Sequence, residues 1–159
     1  MAAITQIAVA NPRAHLCETI AIVNQTTDSV AVTKAIAVPP WARQCIIIIQ
    51  DLTMAGTSPL FDFQVRGVDV AVTATPDDGD LFTLGGWDGI TQKTAAAGTQ
   101  TVIAIGAHVV ADDTGSATAS DQYGIASALP AWIAYTYTTD GTTDDEDYDA
   151  VITVQFAAG

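Results

Sequence analysis

The sequence predicts an all-β protein folded as an antiparallel β-sandwich, either jelly-roll-like or Ig-like. Short runs of β-branched and aromatic residues are separated by turn signals, and no segment shows a helical period. Two stretches, residues 38–65 and 129–156, follow one plan: a Pro-led strand carrying Trp, a turn opening on Gly-Thr, and a returning strand. The chain has 16 Asp but only 2 Glu, and turns favour Asp whereas helices favour Glu. Roughly eight to ten such strands are typical of a sandwich or barrel.

The N-terminal part is predicted to hold an arm and two strands. Residues 1–14 are apolar but weakly patterned, which indicates an extended arm or short strand ahead of one sandwich domain over residues 15–159. Strands are predicted over residues 16–24 and 30–38, because both are rich in β-branched residues and a turn-like Thr-Thr-Asp-Ser stretch separates them.

The strand predicted over residues 43–52 has the strongest signal. It contains four consecutive isoleucines, which are stiff at χ1 and favour sheet over helix. The run does not alternate with polar residues, so we expect both of its faces to be buried, the second by a loop, the other sheet or another subunit. After a turn over residues 54–59, residues 60–66 alternate between apolar and polar and predict a half-buried strand.

The rest of the chain is predicted to alternate between shorter strands and loops. The remaining strands are predicted over residues 68–74, 81–84, 99–105, 131–138 and 150–156. The intervening loops are predicted over residues 75–80, 85–89, 111–122 and 140–149.

Composition and net charge limit the classes of partner that the protein is expected to bind. The net charge is −13, and the charged fraction of 14% is well below the roughly 25% of a usual soluble domain. The five basic residues are Arg13, Lys34, Arg43, Arg66 and Lys93. So few cations disfavour nucleic acid and anionic membranes as partners, because phosphates are neutralised by Lys and Arg. A surface with few charges favours a homo-oligomer or an assembly subunit.

The N-terminus lacks the basic start and long apolar stretch of a signal peptide. We therefore expect a protein that stays in a cytosol-like compartment until it is assembled.

The cysteines and histidines do not form a recognisable site. Cys17 and Cys45 are predicted to be buried thiols on two strands, or to form a disulfide between neighbouring strands. His15 and His108 have no zinc-ligand spacing to them, and no nucleophile elbow accompanies either histidine. We predict no catalytic residue and no cofactor.

Two segments carry candidate binding residues. The acidic loop offers Asp144, Asp145 and Asp147 as ligands for a loosely held cation, although its spacing matches no EF-hand and a solvated turn also accounts for it. Trp87 is flanked by glycines, which predicts either an exposed interface anchor or local closure of the core.

Three further apolar side chains are candidates for the interface: Ile4, Ile7 and Val9 of the N-terminal arm. Trp41 and Trp132 follow prolines at strand starts and are predicted to pack in the core or at the edge of the sandwich.

The order of these motifs resembles a loose family of small virion proteins of tailed bacteriophages. The resemblance covers about residues 38–157. The segments that carry it are Gly56-Thr-Ser-Pro, Gln64-Val-Arg-Gly, Leu81-Phe-Thr-Leu, Thr101-Val-Ile-Ala, Leu129-Pro-Ala-Trp and the second Gly-Thr turn at residue 141. Members usually have Arg after the Leu-Pro segment and Ser-Pro in the second turn. Here Trp132-Ile133 and the acids of residues 144–147 take those places.

The resemblance implies a β-sandwich subunit that decorates a capsid or joins head to tail, with no assigned catalytic residue. We expect a capsid decoration (cement) protein on the outer capsid surface, assembled in the bacterial host cytoplasm. Its partners would be the major capsid protein and copies of itself, with a trimer favoured. The alternatives are a head–tail connector, collar or tail protein, and a carbohydrate- or host-binding β-sandwich that uses Trp87.

Overall fold

The computed structural model consists of two β-sheets packed face to face. It describes residues 14–25, 30–69, 76, 78–87, 89–93, 98–111, 120–140 and 147–158. The strands among these residues are β1 (Ala14–Gln25), β2 (Val30–Ala37), β3 (Gln44–Ala55), β4 (Leu60–Val68), β5 (Leu81–Thr83), β6 (Ile90–Lys93), β7 (Thr99–Gly106), β8 (Asp121–Ala126), β9 (Trp132–Asp140) and β10 (Asp147–Ala157). A short 3₁₀ turn, Asp78–Asp80, precedes β5. In this described part, no helix has the length and apolar character needed to cross a membrane.

The strands form a jelly roll, the first of the two predicted folds. Sheet A has the order β1-β10-β3-β7-β8, and sheet B has the order β2-β9-β4-β5, with β6 also pairing with β4. The pairs β1–β10, β2–β9, β3–β7 and β4–β5 are nested one inside the next and alternate between the two sheets, as in a double-sheet jelly roll. An Ig-like sandwich would place its first two strands in the same sheet, whereas β1 and β2 lie in different sheets. One pair, β7–β8, is parallel.

The repeated Pro-Trp and Gly-Thr motif forms corners between the sheets. The first copy is β3 followed by β4, and the second is β9 followed by β10. In each copy the first strand lies in one sheet and the second strand in the other. The two copies hydrogen-bond to each other instead, since β3 pairs with β10 and β4 with β9. The prediction that the second strand returns beside the first, as in a hairpin, is therefore wrong.

The core fills the space between the inward faces of the sheets. Sheet A contributes Ile47, Ile103 and Ile152, and sheet B contributes Phe63 and Tyr135, which stack with ring centroids 6.1 Å apart. Complete burial of each large apolar side chain contributes about 1.5–3 kcal/mol. The two sheets are also linked at one end, where the backbone N–H of Leu60 donates to the Tyr148 hydroxyl at 3.2 Å.

The isoleucine strand is buried on one face only. Cys45, Ile47 and Ile49 are buried, whereas Ile46 and Ile48 between them are half-buried. No second layer of the described chain covers the outer side of β3, so a loop or the other sheet does not bury that face, and its burial by another subunit stays a prediction. The lack of polar residues within the run of four isoleucines instead gives the middle of β3 an apolar outer face.

Other expectations also need correction. Strands β6 and β8 were not predicted, and β8 begins inside the loop expected over residues 111–122. Of the two positions predicted for Trp41, the core is wrong, and the edge of the sandwich agrees with its 42% exposure. The strand predicted over residues 68–74 lies mostly outside the described residues.

The sheet order decides between the two cysteine alternatives. Cys45 is a buried thiol. Strand β10 lies between β1, which carries Cys17, and β3, which carries Cys45. Two strand spacings separate the cysteines by about 9–10 Å, beyond the roughly 7 Å between Cα atoms that a disulfide spans. The two strands are not neighbours, so the disulfide alternative is excluded.

Candidate functional site

The outward faces of the two sheets differ in character. On sheet B, outward positions carry Thr33, Thr136, Thr138 and Gln64, and the Thr33 and Thr136 hydroxyls hydrogen-bond across the strands at 2.9 Å. These hydroxyl and amide groups are compatible with exposure to solvent. On sheet A, the outward positions at the middle of β3 and β7 are apolar and half-buried, and polar or charged residues surround them. Contiguous apolar surface of this kind is typical of a contact with a partner.

The apolar centre of sheet A follows directly from strand register. Ile46 lies opposite Ala104, and Ile48 lies opposite Val102 on β7. On the other side, Ile48 lies opposite Thr153 of β10. Residues two apart on a strand share a face, so these positions form one surface. We call this surface the apolar centre: Ile46, Ile48, Val102, Ala104 and Val151.

A short strap lies over one corner of this face. After β7 ends, residues 107–111 turn back, with the Val109 N–H donating to the Gly106 carbonyl at 3.1 Å. The strap passes so close to β8 that a Cβ added to Gly124 would overlap the Val110 carbonyl. Val110 itself projects outward and is 83% exposed. The strap therefore forms an apolar ridge on the outer face.

A cationic pocket of about 280 Å³ lies between the strap and the start of β3. We define it by its lining residues: Arg43, Gln44, Ala104, Gly106, His108 and Val109. The Arg43 Nη1 donates to the carbonyls of Pro40 and Ala42 at 3.3 and 3.2 Å, which anchors the guanidinium at the pocket. Cationic and amide donors beside small apolar groups are suited to a carboxylate.

The opposite end of the same face is acidic. Asp147 and Asp149 occupy outward positions on β10, opposite Ala55 and Thr53 of β3. Asp51 is exposed beside them at a bulge in β3, with a positive φ of 54° that Asp tolerates better than most residues. We call these three aspartates the acidic end. The outer face thus changes from cationic through apolar to acidic along β3.

A second depression, about 270 Å³, lies near the acidic end between β7 and β8. Its lining residues are Gln100, Val102, Ser120, Asp121 and Gln122. The strap and this side depression lie on the same two strands, β7 and β8, at opposite ends. Along β7 and β8, the face therefore has a protrusion at one end and a hollow at the other.

The predicted cation ligands are only partly described. Asp147 begins β10, and its Oδ1 is buried without a hydrogen-bond partner among the described residues. Asp144 and Asp145 lie outside those residues. In the part of the chain that the structure describes, no three His, Cys, Asp or Glu side chains lie close enough to hold a metal ion.

The predicted interface residues have different outcomes. Ile4, Ile7 and Val9 lie outside the described residues. Trp87 is only 4% exposed and packs against Tyr123 with ring centroids 5.6 Å apart, so the prediction of an exposed anchor is corrected. The alternative of local core closure agrees with this position.

The pocket is formed by residues far apart in the sequence, and local pattern predicted neither the pocket nor the strap. Arg43 and His108 were noted separately, one as a basic residue and the other as a histidine at a strand end. They are 65 positions apart in the sequence, and only the pairing of Gln44 with Gly106 brings them together. The usable signal was the apolar pair Val109-Val110, which lies just beyond the end of β7 at Gly106 and just before a polar stretch.

Burial also affects two tyrosines beneath sheet B. It raises the pKa of Tyr135 far above its usual value, and the nearby Tyr137 adds to that rise. The pKa of Tyr137 is also raised by burial. Both belong to the core and not to the outer face of sheet A.

The fold and surface define a jelly-roll β-sandwich with an apolar, charge-polarised sheet face. No protein-family model matches the chain, and no curated protein matches it. Among solved structures, it is similar to an exo-beta-agarase structure at 11% identity and a TM-score of 0.38. That match covers 97% of this chain and 21% of the agarase chain. A likeness this distant gives no argument about activity.

Proposed function

We propose that this chain is a non-enzymatic virion protein of a tailed bacteriophage. Its role would be to decorate the capsid, binding between major capsid proteins on the outer surface and reinforcing the shell. The chain would also self-associate there. The resemblance of its motifs to small phage virion proteins supports the proposal.

The single observation that carries the proposal is the apolar centre on the outer face of sheet A. With the polar positions around that centre included, five strands spaced about 4.8 Å apart and about eight residues long make a face of roughly 600 Å². Two partners that each bury such a face reach the roughly 1,000 Å² of total area expected for a specific contact. The outward face of sheet B carries the hydroxyl and amide groups of Thr33, Thr136, Thr138 and Gln64, so it is the more polar of the two outward faces at its centre.

The fold is compatible with the proposal but does not select it. Jelly rolls build viral capsid domains, lectins and cupins alike, and a fold by itself does not specify a function. The carbohydrate-binding alternative relied on an exposed Trp87, and its burial removes that argument. A connector, collar or tail protein would use the same apolar face and differs in copy number and position.

A binding experiment with expanded heads tests the proposal. The heads are assembled from the major capsid protein encoded in the same phage genome. We expect the full chain to co-sediment with them at many copies per head. We also expect a variant lacking residues 1–13 to stay folded and to lose at least about tenfold in affinity, since roughly 1.4 kcal/mol of arm contacts accounts for that factor. A chain lacking residues 158 and 159 is the matched control and binds like the full chain.

Each other outcome has a definite meaning. No binding by the full chain overturns the decoration role. Saturation at six or twelve copies at one vertex replaces it with a connector. Equal binding by the full and shortened chains removes the arm, with Ile4, Ile7 and Val9, from the interface.

A further inference from the structure

We propose that the outer face of sheet A pairs with the same face of a second copy, related by a two-fold axis in the interface and perpendicular to the strands. This inference deepens the self-association that is part of the proposed function and rests on it. The axis makes the pairing two-fold, in place of the trimer favoured from the sequence.

Charge complementarity is the first argument. Rotation about such an axis reverses the direction of the strands, so the cationic pocket of one copy meets the acidic end of the other. The same contact occurs a second time, because a two-fold interface pairs each patch with its counterpart in both directions. Two complementary contacts therefore result from one arrangement.

The distribution of cations strengthens this argument. The protein carries a net charge of −13, so copies repel one another in general. Among the side chains that the structure describes, the Lys and Arg residues are Lys34, Arg43 and Arg66, and of these only Arg43 is exposed. This cation lies at the cationic pocket, where it faces the other copy in the proposed pair.

Shape complementarity is the second argument. The axis places β7 and β8 of one copy opposite β7 and β8 of the other copy. Because the strand direction is reversed, the C-terminal ends of these strands face the N-terminal ends of their counterparts. The strap of one copy, with Val110 projecting, then lies over the side depression of the other copy, between its Gln100 and Gln122. The same two-fold rotation therefore brings the protrusion over the hollow and the cationic pocket against the acidic end.

The apolar centre is the third argument. The midpoint between the cationic pocket and the acidic end along β3 lies near Ile48. Ile46 and Ile48 therefore lie close to the axis and meet their own counterparts, which removes the apolar centre from water. Sheets stacked in this way lie about 10 Å apart, a spacing that branched aliphatic side chains from both copies can fill.

Charge reversal tests the pairing directly. One variant is Arg43→Glu, and the other combines Asp51→Lys with Asp149→Lys. Either variant alone sets like charges against each other at both contacts, so each should raise the dimer dissociation constant by at least about tenfold. Mixing the two variants restores opposite charges at both contacts, and the mixture should form a 1:1 heterodimer. Sedimentation equilibrium against a monomer mass of 16.4 kDa measures all three.

The matched control is Arg66→Glu, which makes the same charge change on sheet B and should dimerise like the wild type. A thiol cross-link gives a second readout that does not depend on charge. Ile48→Cys should give covalent dimers with a short bis-maleimide, whereas Thr138→Cys on the outer face of sheet B should not.

Several results would overturn the inference. They are a monomeric wild type at 100-micromolar concentration, an oligomer that is unaffected by Arg43→Glu, or a mixture without heterodimer. Any of these can occur while the full chain still binds heads, so failure of the pairing is distinguishable from failure of the decoration role.

Discussion

Trp87 shows how one residue joins the two sheets. It lies between β5 and β6 on the sheet B side, yet its ring contacts Tyr123 of β8 in sheet A at an interplanar angle of 57°. Its Nε1 is buried with no hydrogen-bond partner among the described residues. A buried N–H without a partner costs about 1–3 kcal/mol, so the stabilising effect of Trp87 comes from its ring.

Replacing Trp87 separates core packing from binding. We expect Trp87→Ala to lower the free energy of unfolding by about 3–5 kcal/mol, because it leaves a large cavity between the sheets. We expect Trp87→Phe to lower it by less than about 1.5 kcal/mol, since an aromatic ring is kept and the unpaired N–H is lost. Urea unfolding measures both changes.

The matched control for this residue is Trp41→Ala, which removes an exposed ring and should change stability by less than about 1 kcal/mol. If Trp87→Ala left stability unchanged but weakened binding to heads, the interface role would return.

The glycines around Trp87 could be interpreted from the sequence, but the direction of the ring could not. Gly85, Gly86 and Gly89 all have positive φ, which is what a glycine-rich loop predicts. Whether the ring points to solvent or to the core depends on Tyr123, a strand residue that local pattern did not assign. A contact between residues 36 positions apart leaves no signal near either one.

At the scale of elements, the strap depends on one glycine. Gly124 lies directly under the Val110 carbonyl, and the added Cβ of any other residue would displace the strap. Gly106 is less crowded, since an added Cβ would lie 3.2 Å from both the Val109 Cγ2 and the Arg43 carbonyl oxygen. The position of the cationic pocket is therefore determined by two small residues on neighbouring strands.

Substitution of this glycine tests the strap. We expect Gly124→Ala to lower the free energy of unfolding by about 1–3 kcal/mol, because the overlap must be relieved by backbone movement. Amide hydrogen exchange should become faster over residues 107–111. Gly79→Ala is the matched control, since an added Cβ there has no neighbour within 4 Å, and it should change neither quantity. Unaltered exchange in the strap of Gly124→Ala would contradict its role.

The strands themselves were largely predictable, but their partners were not. The alternation of residues 60–66 and the isoleucine run of β3 follow from local chemistry. A corner and a hairpin use the same turn residues and the same period of two, so Gly56-Thr cannot show which sheet the next strand joins. Strand β8 was missed because it begins on Asp121 and Gln122, at the end of a polar stretch, and has Gly124 near its centre. Hydrogen bonding to β7 stabilises the strand conformation, which the residues of β8 do not favour by themselves.

For the candidate site, the sequence indicated an apolar surface but not its layout. The four isoleucines pointed to a strand without a solvent face, and the excess of acids was plain from composition. The cationic pocket and the acidic end lie at opposite ends of β3, and their positions depend on the length of β3 and on its register with β7 and β10. These are long-range properties of the sheet.

The whole molecule should lose stability in strongly alkaline solution. Burial raises the pKa of Tyr135 and Tyr137 in the folded state, whereas an exposed tyrosine ionises near pH 10. Below about pH 10 both states keep these protons. As the pH rises above that value, the unfolded state releases them first, and unfolding is increasingly favoured.

Urea unfolding between pH 8 and pH 11.5 measures this loss. A Tyr135→Phe and Tyr137→Phe double variant should show a flatter decline above pH 10 than the wild type. Parallel declines in the two proteins would show that other groups account for the alkaline instability.

The nested order of strands also affects how the protein folds while it is being translated. Strand β1 leaves the ribosome well before its partner β10, because Ala14 lies opposite Ala157. At roughly 5–20 residues per second, β1 waits about 7–30 s for that partner. Closing such distant pairs is slow, with folding on the millisecond-to-second scale for comparable β topologies. Sheet A can therefore be completed only when translation has passed residue 157, and chaperones have that interval in which to protect the unpaired first strand.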